Sequence, residues 1–176
     1  MRTLILIACA LAPTWLAAEV LDSSASGFTV KETLTIQAAP QAVYDKVFHI
    51  GEWWNPAHTF SQDSHNLSLD AKAGGCLCEK LPNGGSAKHM DVVRVAPGST
   101  IVLHGALGPM QTMAVSGSML IQLTPAGGAT KLEITYAVAG YSANGMSSLA
   151  GVVDTVLLGQ FTRLKNFIEH GDPAAK

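Results

Sequence analysis

Three side chains in the sequence have the type and setting that acid–base chemistry requires: His89, His104 and Tyr136. His89 and Asp91 alternate along a segment with strand character, which predicts both side chains on one face of that strand. A carboxylate beside an imidazole holds and polarises the ring, as a general base requires. The same spacing is also common on the solvated face of a sheet, where it has no catalytic role. His104 and Tyr136 belong to two further alternating segments, and Tyr136 is predicted to point inward. These three residues are therefore the candidate catalytic residues.

A second group of possible ligands or catalysts lies earlier in the chain. His58, Asp63 and His65 fall within eight residues and have side chains that bind metals. The residues between them show no periodicity that would bring the three together, so the sequence favours a loop and predicts no metal site. The chain also lacks a phosphate-binding loop, a dinucleotide fingerprint, a nucleophile elbow and a His-Glu-x-x-His motif. We expect no cofactor.

Cys76 and Cys78 form a Cys-x-Cys motif. In a regular strand their side chains share a face with Cα atoms roughly 7 Å apart, which is the upper limit for a disulfide. They can be two small buried residues, a disulfide, or part of a metal or redox site that would need further ligands. The sequence leaves their redox state open.

The N-terminal residues 1–18 have the layout of a secretory signal peptide. Arg2 precedes an apolar stretch from Leu4 to Leu16, and small residues stand before Glu19. The stretch is shorter than the roughly 20 residues of a membrane-spanning helix, although an uncleaved anchor is the alternative. We expect a periplasmic or secreted protein with no transmembrane segment in the mature chain.

Composition excludes several other classes of protein. The chain has 176 residues, 48% of them hydrophobic and 14% charged, with a net charge of -2. This length suits one domain with a sizeable core, and the low charge and high hydrophobicity exclude a disordered chain. Because the basic residues form no patch, nucleic acid is not an expected partner.

The order of predicted elements indicates an α+β domain over residues 28–170, after a flexible lead-in at 19–27 and before a tail at 171–176. An alternating strand at 28–37 is followed by a short helix at 40–49 and, at the end of the chain, by a long helix at 146–169. Six strand candidates separate the helices, at 65–70, 75–82, 87–95, 99–106, 115–125 and 129–139. We expect a seven-stranded curved antiparallel sheet wrapped on the long helix, which leaves an internal cavity.

Short segments of the sequence resemble the corresponding segments of one superfamily. The segment Ala38–Val47, followed by Trp53 and Trp54, resembles the opening of START-like (SRPBCC) proteins, and Gly74–Glu79 resembles an exported bacterial branch. The resemblance covers about residues 28–170 and extends to the polyketide cyclase/dehydrase-like members. It implies the helix-grip fold of birch-pollen allergen-like proteins.

The fold and the resemblance together favour binding of a small hydrophobic or amphipathic ligand between the sheet and the C-terminal helix. The alternatives are a cyclase/dehydrase-type enzyme acting in the same cavity and an interaction domain whose cavity is closed. Aromatic, methionine and helix-stripe residues are predicted to line the cavity: Trp53, Trp54, Met110, Met113, Tyr136, Tyr141, Val153, Leu157 and Phe161.

Overall fold

The computed structural model describes residues 16–175, so most of the predicted signal segment lies outside the described residues. The helices are α1 (Pro40–Val47), α2 (Ile50–Trp53) and α3 (Ser147–His170). The strands are β1 (Leu16–Ser23), β2 (Gly27–Ile36), β3 (Leu67–Leu69), β4 (Cys76–Lys80), β5 (Ser86–Ala96), β6 (Thr100–Gly105), β7 (Ala114–Ala126) and β8 (Ala129–Tyr141). Short 3-10 turns lie at Pro56–His58, Ser64–Asn66, Pro82–Gly84 and Gly108–Thr112.

All strands belong to one antiparallel sheet in the order β1-β2-β8-β7-β6-β5-β4-β3. One face of this sheet packs against the helices and carries the core, because the strands alternate buried and open residues as the sequence predicts. Helix α3 contacts β2 and supplies Leu157, Phe161 and Leu164 to the core. It ends at Gly171, whose backbone is left-handed (φ 74°) and whose N–H donates to the carbonyl of Phe167 at 3.0 Å. Among the described residues, we find no helix with the length and hydropathy to cross a membrane.

The sheet has eight strands, and the predicted seven is wrong by one. The additional strand is β1, which pairs with β2 in the register Val20 to Val30 and spans the end of the predicted signal segment (16–18) and the start of the predicted flexible lead-in (19–23). Val20 and Leu21 are both more than one third exposed. Backbone hydrogen bonds to β2, rather than burial, therefore define this edge strand, and the hydrophobic pattern gives little sign of them.

Strand β5 carries two β-bulges that change which side chains face the core. The register with β4 passes from Leu77–Met90 directly to Cys78–Lys88, so His89 is an extra residue without a partner. The register with β6 skips Val93 in the same way. At the first bulge His89 and Met90 are both buried, which breaks the alternation.

The predicted His89–Asp91 pair is therefore wrong. His89 turns to the core, whereas Asp91 lies half-exposed and accepts from the Lys88 ammonium at 3.0 and 3.1 Å. Gly105 of β6 stands where the bulged strand passes, since a Cβ there would lie 2.4 Å from the carbonyl oxygen of His89.

Cys76 and Cys78 are joined by a disulfide. Their Cα atoms are 5.4 Å apart, which is within the usual range for a disulfide and shorter than the spacing expected for a regular strand. Leu77, between the cysteines, points to the core and is 4% exposed.

Candidate ligand cavity

A cavity of about 390 Å³ lies between α3, the sheet and two loops. The sheet supplies Leu67, Leu77 and His89, and α3 supplies Leu149, Val152, Val153, Val156 and Leu157. The segment after α2 supplies Trp54, Ala57, His58, Thr59 and Phe60, and the segment after β6 supplies Leu107, Gly108, Pro109, Met110 and Met113. As far as residues 16–175 are concerned, the lining is mainly apolar and contains no Lys or Arg side chain. Such a cavity suits an apolar molecule of moderate size.

Some of the residues predicted to line the cavity do so, and others lie elsewhere. Those on the cavity wall are Trp54, Met110, Met113, Val153 and Leu157. Trp53 and Phe161 lie deeper, with ring centroids 5.8 Å apart, beside a separate void of about 20 Å³. Tyr141 is 71% exposed and lies outside the cavity.

Tyr136 and His104, two of the three candidate catalytic residues, do not border the cavity. The Tyr136 side chain is fully buried, and its hydroxyl donates to the carbonyl of Gly105 at 3.0 Å. Burial raises the pKa of Tyr136 to about 12. His104 is exposed on the opposite face of the sheet, beside a shallow groove lined by serine and threonine side chains.

His89 is the candidate catalytic residue that borders the cavity. Its Nε2 lies 2.9 Å from Oε2 of Glu79, and both side chains are almost fully buried. Its Nδ1 lies 2.9 Å from the amide nitrogen of Gln111, and its ring stacks on Phe60 with centroids 5.4 Å apart. The carboxylate and the amide therefore fix both the orientation and the protonation sites of the ring.

Glu79 also holds the loop that forms one wall of the cavity. The backbone N–H groups of Phe60 and Ser61 donate to its two carboxylate oxygens at 3.2 and 2.6 Å. Burial alone would raise the pKa of Glu79, but hydrogen bonds from Ser61, His89 and Phe60 outweigh it and hold the pKa below its ordinary value. Glu79 is therefore an ionised acceptor that joins β4, β5 and the 59–61 loop.

His58 lies on the cavity wall and contacts the long helix α3. Its Nδ1 lies 2.6 Å from Nε2 of Gln160, a buried residue of α3. Asp63 and His65 contact each other at 2.9 Å on an exposed turn, so the three residues do not converge. Sequence reasoning missed the pairing of His58 with Gln160 and that of Glu79 with His89. The available signal was an amide within the apolar stripe of α3 and a carboxylate within an alternating strand.

A pair of acidic residues lies between β2 and α3, outside the cavity lining. Glu32 is fully buried near Asp154, and among the described residues neither Glu32 carboxyl oxygen has a hydrogen-bond partner. Burial, and then repulsion from Asp154, raises the pKa of Glu32 to about 8. Glu32 therefore keeps its proton at neutral pH.

No family model matches the sequence, and no curated protein is a significant match. Solved structures do match. CalU16 from Micromonospora echinospora has 16% identity and a TM-score of 0.57, over 91% of this chain and 88% of that one. DynU16, from the dynemicin biosynthetic locus, has 18% identity and a TM-score of 0.59, over 84% of this chain and 49% of that one. This chain thus spans about half the length of DynU16.

Ara h 8.0201 matches with 13% identity and a TM-score of 0.59, over 81% of this chain and 97% of that one. Identities this low establish likeness of fold and nothing finer. The curved sheet, the long C-terminal helix and these three structures give the same result: the chain has the helix-grip fold.

Proposed function

We propose that this protein binds a small hydrophobic or amphipathic molecule in the cavity between the sheet and α3. The observation that carries the proposal is the lining itself, a concave and partly open wall of leucine, valine, methionine and aromatic side chains. The likeness to DynU16, a protein from a biosynthetic locus, supports a small organic molecule as the occupant.

A cavity-filling variant tests this proposal. The Val153→Trp substitution places an indole in the cavity, and we expect it to lower affinity for the uncharged apolar dye N-phenyl-1-naphthylamine by at least about tenfold. Thr155→Trp puts the same side chain on an exposed position of α3 and is the matched control. Equal dye binding by wild type and Val153→Trp would place the dye outside the cavity and contradict the proposal. Native mass spectrometry of the wild type would identify a co-purifying molecule.

We further propose that the protein is exported to the periplasm or secreted. The signal-like residues 1–18 support export, and a disulfide between Cys76 and Cys78 suits an oxidising compartment. N-terminal sequencing of protein recovered from the periplasm or the medium is expected to begin at Glu19. Recovery of the intact N-terminus from the cytoplasm would contradict export.

A second candidate function is catalysis of the cyclase/dehydrase type in the same cavity. The observation that favours it is the buried Glu79–His89 pair on the cavity wall, where a carboxylate-held imidazole can act as an acid or base once a ligand displaces Gln111 from its Nδ1. The test is to incubate any co-purified molecule with wild type and with His89→Asn. Loss of water or ring closure with the wild type alone supports catalysis, and an unchanged molecule with both proteins leaves binding as the function.

A further inference from the structure

The side-chain hydrogen-bond donors around the cavity are almost all used within the protein. The Trp54 indole N–H donates to the carbonyl of His58 at 3.2 Å, and the Thr59 hydroxyl donates to the carbonyl of Pro56 at 2.8 Å. His89 has its Nε2 against Glu79 and its Nδ1 against Gln111. Within the described part of the chain, His58 is the lining residue whose side chain has a nitrogen, Nε2, without such a partner.

The position of the His58 proton follows from its neighbours. The Oε1 of Gln160 accepts from the backbone N–H of Asn55 at 2.8 Å, which fixes the orientation of the Gln160 amide. The Nε2 of Gln160 must then face His58, and it donates to the His58 Nδ1 at 2.6 Å. Because Nδ1 accepts this bond, the ring proton of His58 is on Nε2.

His58 also lies where a polar group is useful. It is exposed, at the rim of the cavity, while Leu67, Leu77 and Leu157 form the interior. A molecule whose apolar body fills the interior would bring its polar end to this rim, as amphipathic groups do at other boundaries between apolar and wet surroundings.

We propose that the Nε2–H of His58 is the polar anchor of this cavity, and that it selects an apolar molecule with an uncharged acceptor such as a ketone carbonyl. This inference rests on the proposed ligand-binding function. An uncharged acceptor fits better than a carboxylate, since the lining offers no Lys or Arg to balance a negative charge.

A pair of probes of the same shape tests the anchor. 2-Acetylnaphthalene carries a carbonyl, and 2-isopropenylnaphthalene replaces it with an alkene of similar size. We expect His58→Phe, which keeps an aromatic ring but lacks the donor, to shift the ratio of the two affinities toward the alkene by about five- to tenfold. The ratio is the readout, because the apolar surface that phenylalanine adds at the rim changes the affinities of both probes alike, and Thr155→Trp, outside the lining, should keep the wild-type ratio.

The outcomes separate this inference from the function on which it rests. If wild type and His58→Phe show the same ratio while both probes bind, the anchor is wrong and the ligand-binding function stands. If neither probe binds the wild type, both proposals are contradicted. Tighter binding of 2-naphthoate than of the ketone would overturn the uncharged class.

The protonation site can be read without any ligand. Long-range ¹H–¹⁵N spectra of the wild type are expected to show His58 with the proton on Nε2 and an unprotonated Nδ1. Gln160→Leu removes the donor to Nδ1 and should move the tautomer ratio back toward that of a free imidazole, with a detectable population protonated on Nδ1. Gln160 is thus a positioning residue, and a proton on Nδ1 in the wild type would overturn its assignment.

Discussion

The carboxyl group of Glu32 makes the stability of this protein depend on pH. Its pKa is raised from the ordinary 4.5 to about 8, first by burial and then by repulsion from Asp154. Between these two values the folded protein holds a proton that the unfolded chain has released. The contribution of Glu32 to the free energy of unfolding is therefore complete below about pH 4.5 and is lost as the pH rises through about 8.

We expect Glu32→Gln to remove this dependence, because an amide of the same size does not ionise. Its free energy of unfolding should exceed that of the wild type by about 1–3 kcal/mol at about pH 9 and converge with it at about pH 5. Urea denaturation across this range is the measurement. Asp154→Asn is the companion variant and should lower the pKa of Glu32. Parallel pH profiles for wild type and Glu32→Gln would show that the group is not buried as described.

At the same scale, Glu32 shows that a sequence pattern can predict the burial of a residue without predicting its neighbours. Alternation along 28–37 correctly predicts Phe28, Val30, Leu34 and Ile36 on one buried face. Glu32 occupies the same phase, so its burial was implicit in the pattern. Its neighbour Asp154 was not, since the two residues are 122 positions apart and meet only when α3 packs on β2.

At the scale of elements, Glu79 is the connection between two strands and a loop. Its carboxylate accepts from Phe60, Ser61 and His89, and the side chain is fully buried. We expect Glu79→Ala to lower the free energy of unfolding by about 2–4 kcal/mol, because it leaves the buried His89 and two part-buried backbone N–H groups without an acceptor. Chemical denaturation at neutral pH checks the size of the loss.

The same change should act on the cavity through the 59–61 loop. Dye affinity should fall in Glu79→Ala, whereas Glu79→Gln, which keeps an acceptor oxygen, should retain part of both stability and binding. If Glu79→Ala were as stable as the wild type, the three hydrogen bonds would be replaceable by water, and the loop would be held by other contacts.

Helices and strands were predicted correctly where the spacing of apolar residues defines them, and incorrectly where backbone hydrogen bonding defines them. The long helix and the strands from β2 to β8 follow from apolar spacing and turn residues. Strand β1 was not predicted because it is an edge strand with exposed Val20 and Leu21. The faces of His89 and Asp91 were misassigned because a bulge leaves no mark on hydrophobic spacing.

At the scale of the whole molecule, one helix across a curved sheet leaves the space that a ligand can use. That arrangement followed from element order, and five of the nine predicted lining residues, Trp54, Met110, Met113, Val153 and Leu157, do border the cavity. The polar contacts at the cavity could not be predicted, because His58, Glu79 and Gln160 reach their partners only through tertiary packing.

Cysteine content gives a test of the whole molecule's processing and redox state. The chain has three cysteines, of which Cys9 lies in the predicted signal segment. Exported protein, denatured without a reductant, should therefore give no free thiol, and the same protein should give two after reduction. Counting with a thiol reagent makes the measurement. One free thiol before reduction would indicate an unprocessed chain, and two in processed protein would exclude the disulfide.

The bulge at His89 has a genetic consequence. Met90 and Lys88 already face their partners Leu77 and Cys78 in regular phase, so His89 amounts to a one-codon insertion in an ordinary hairpin. Removing that single codon would close the ladder and leave every other β5 side chain on its present face. The cavity would survive without its imidazole. A variant that lacks only His89 would therefore keep the hairpin and lose the Glu79–His89 pair.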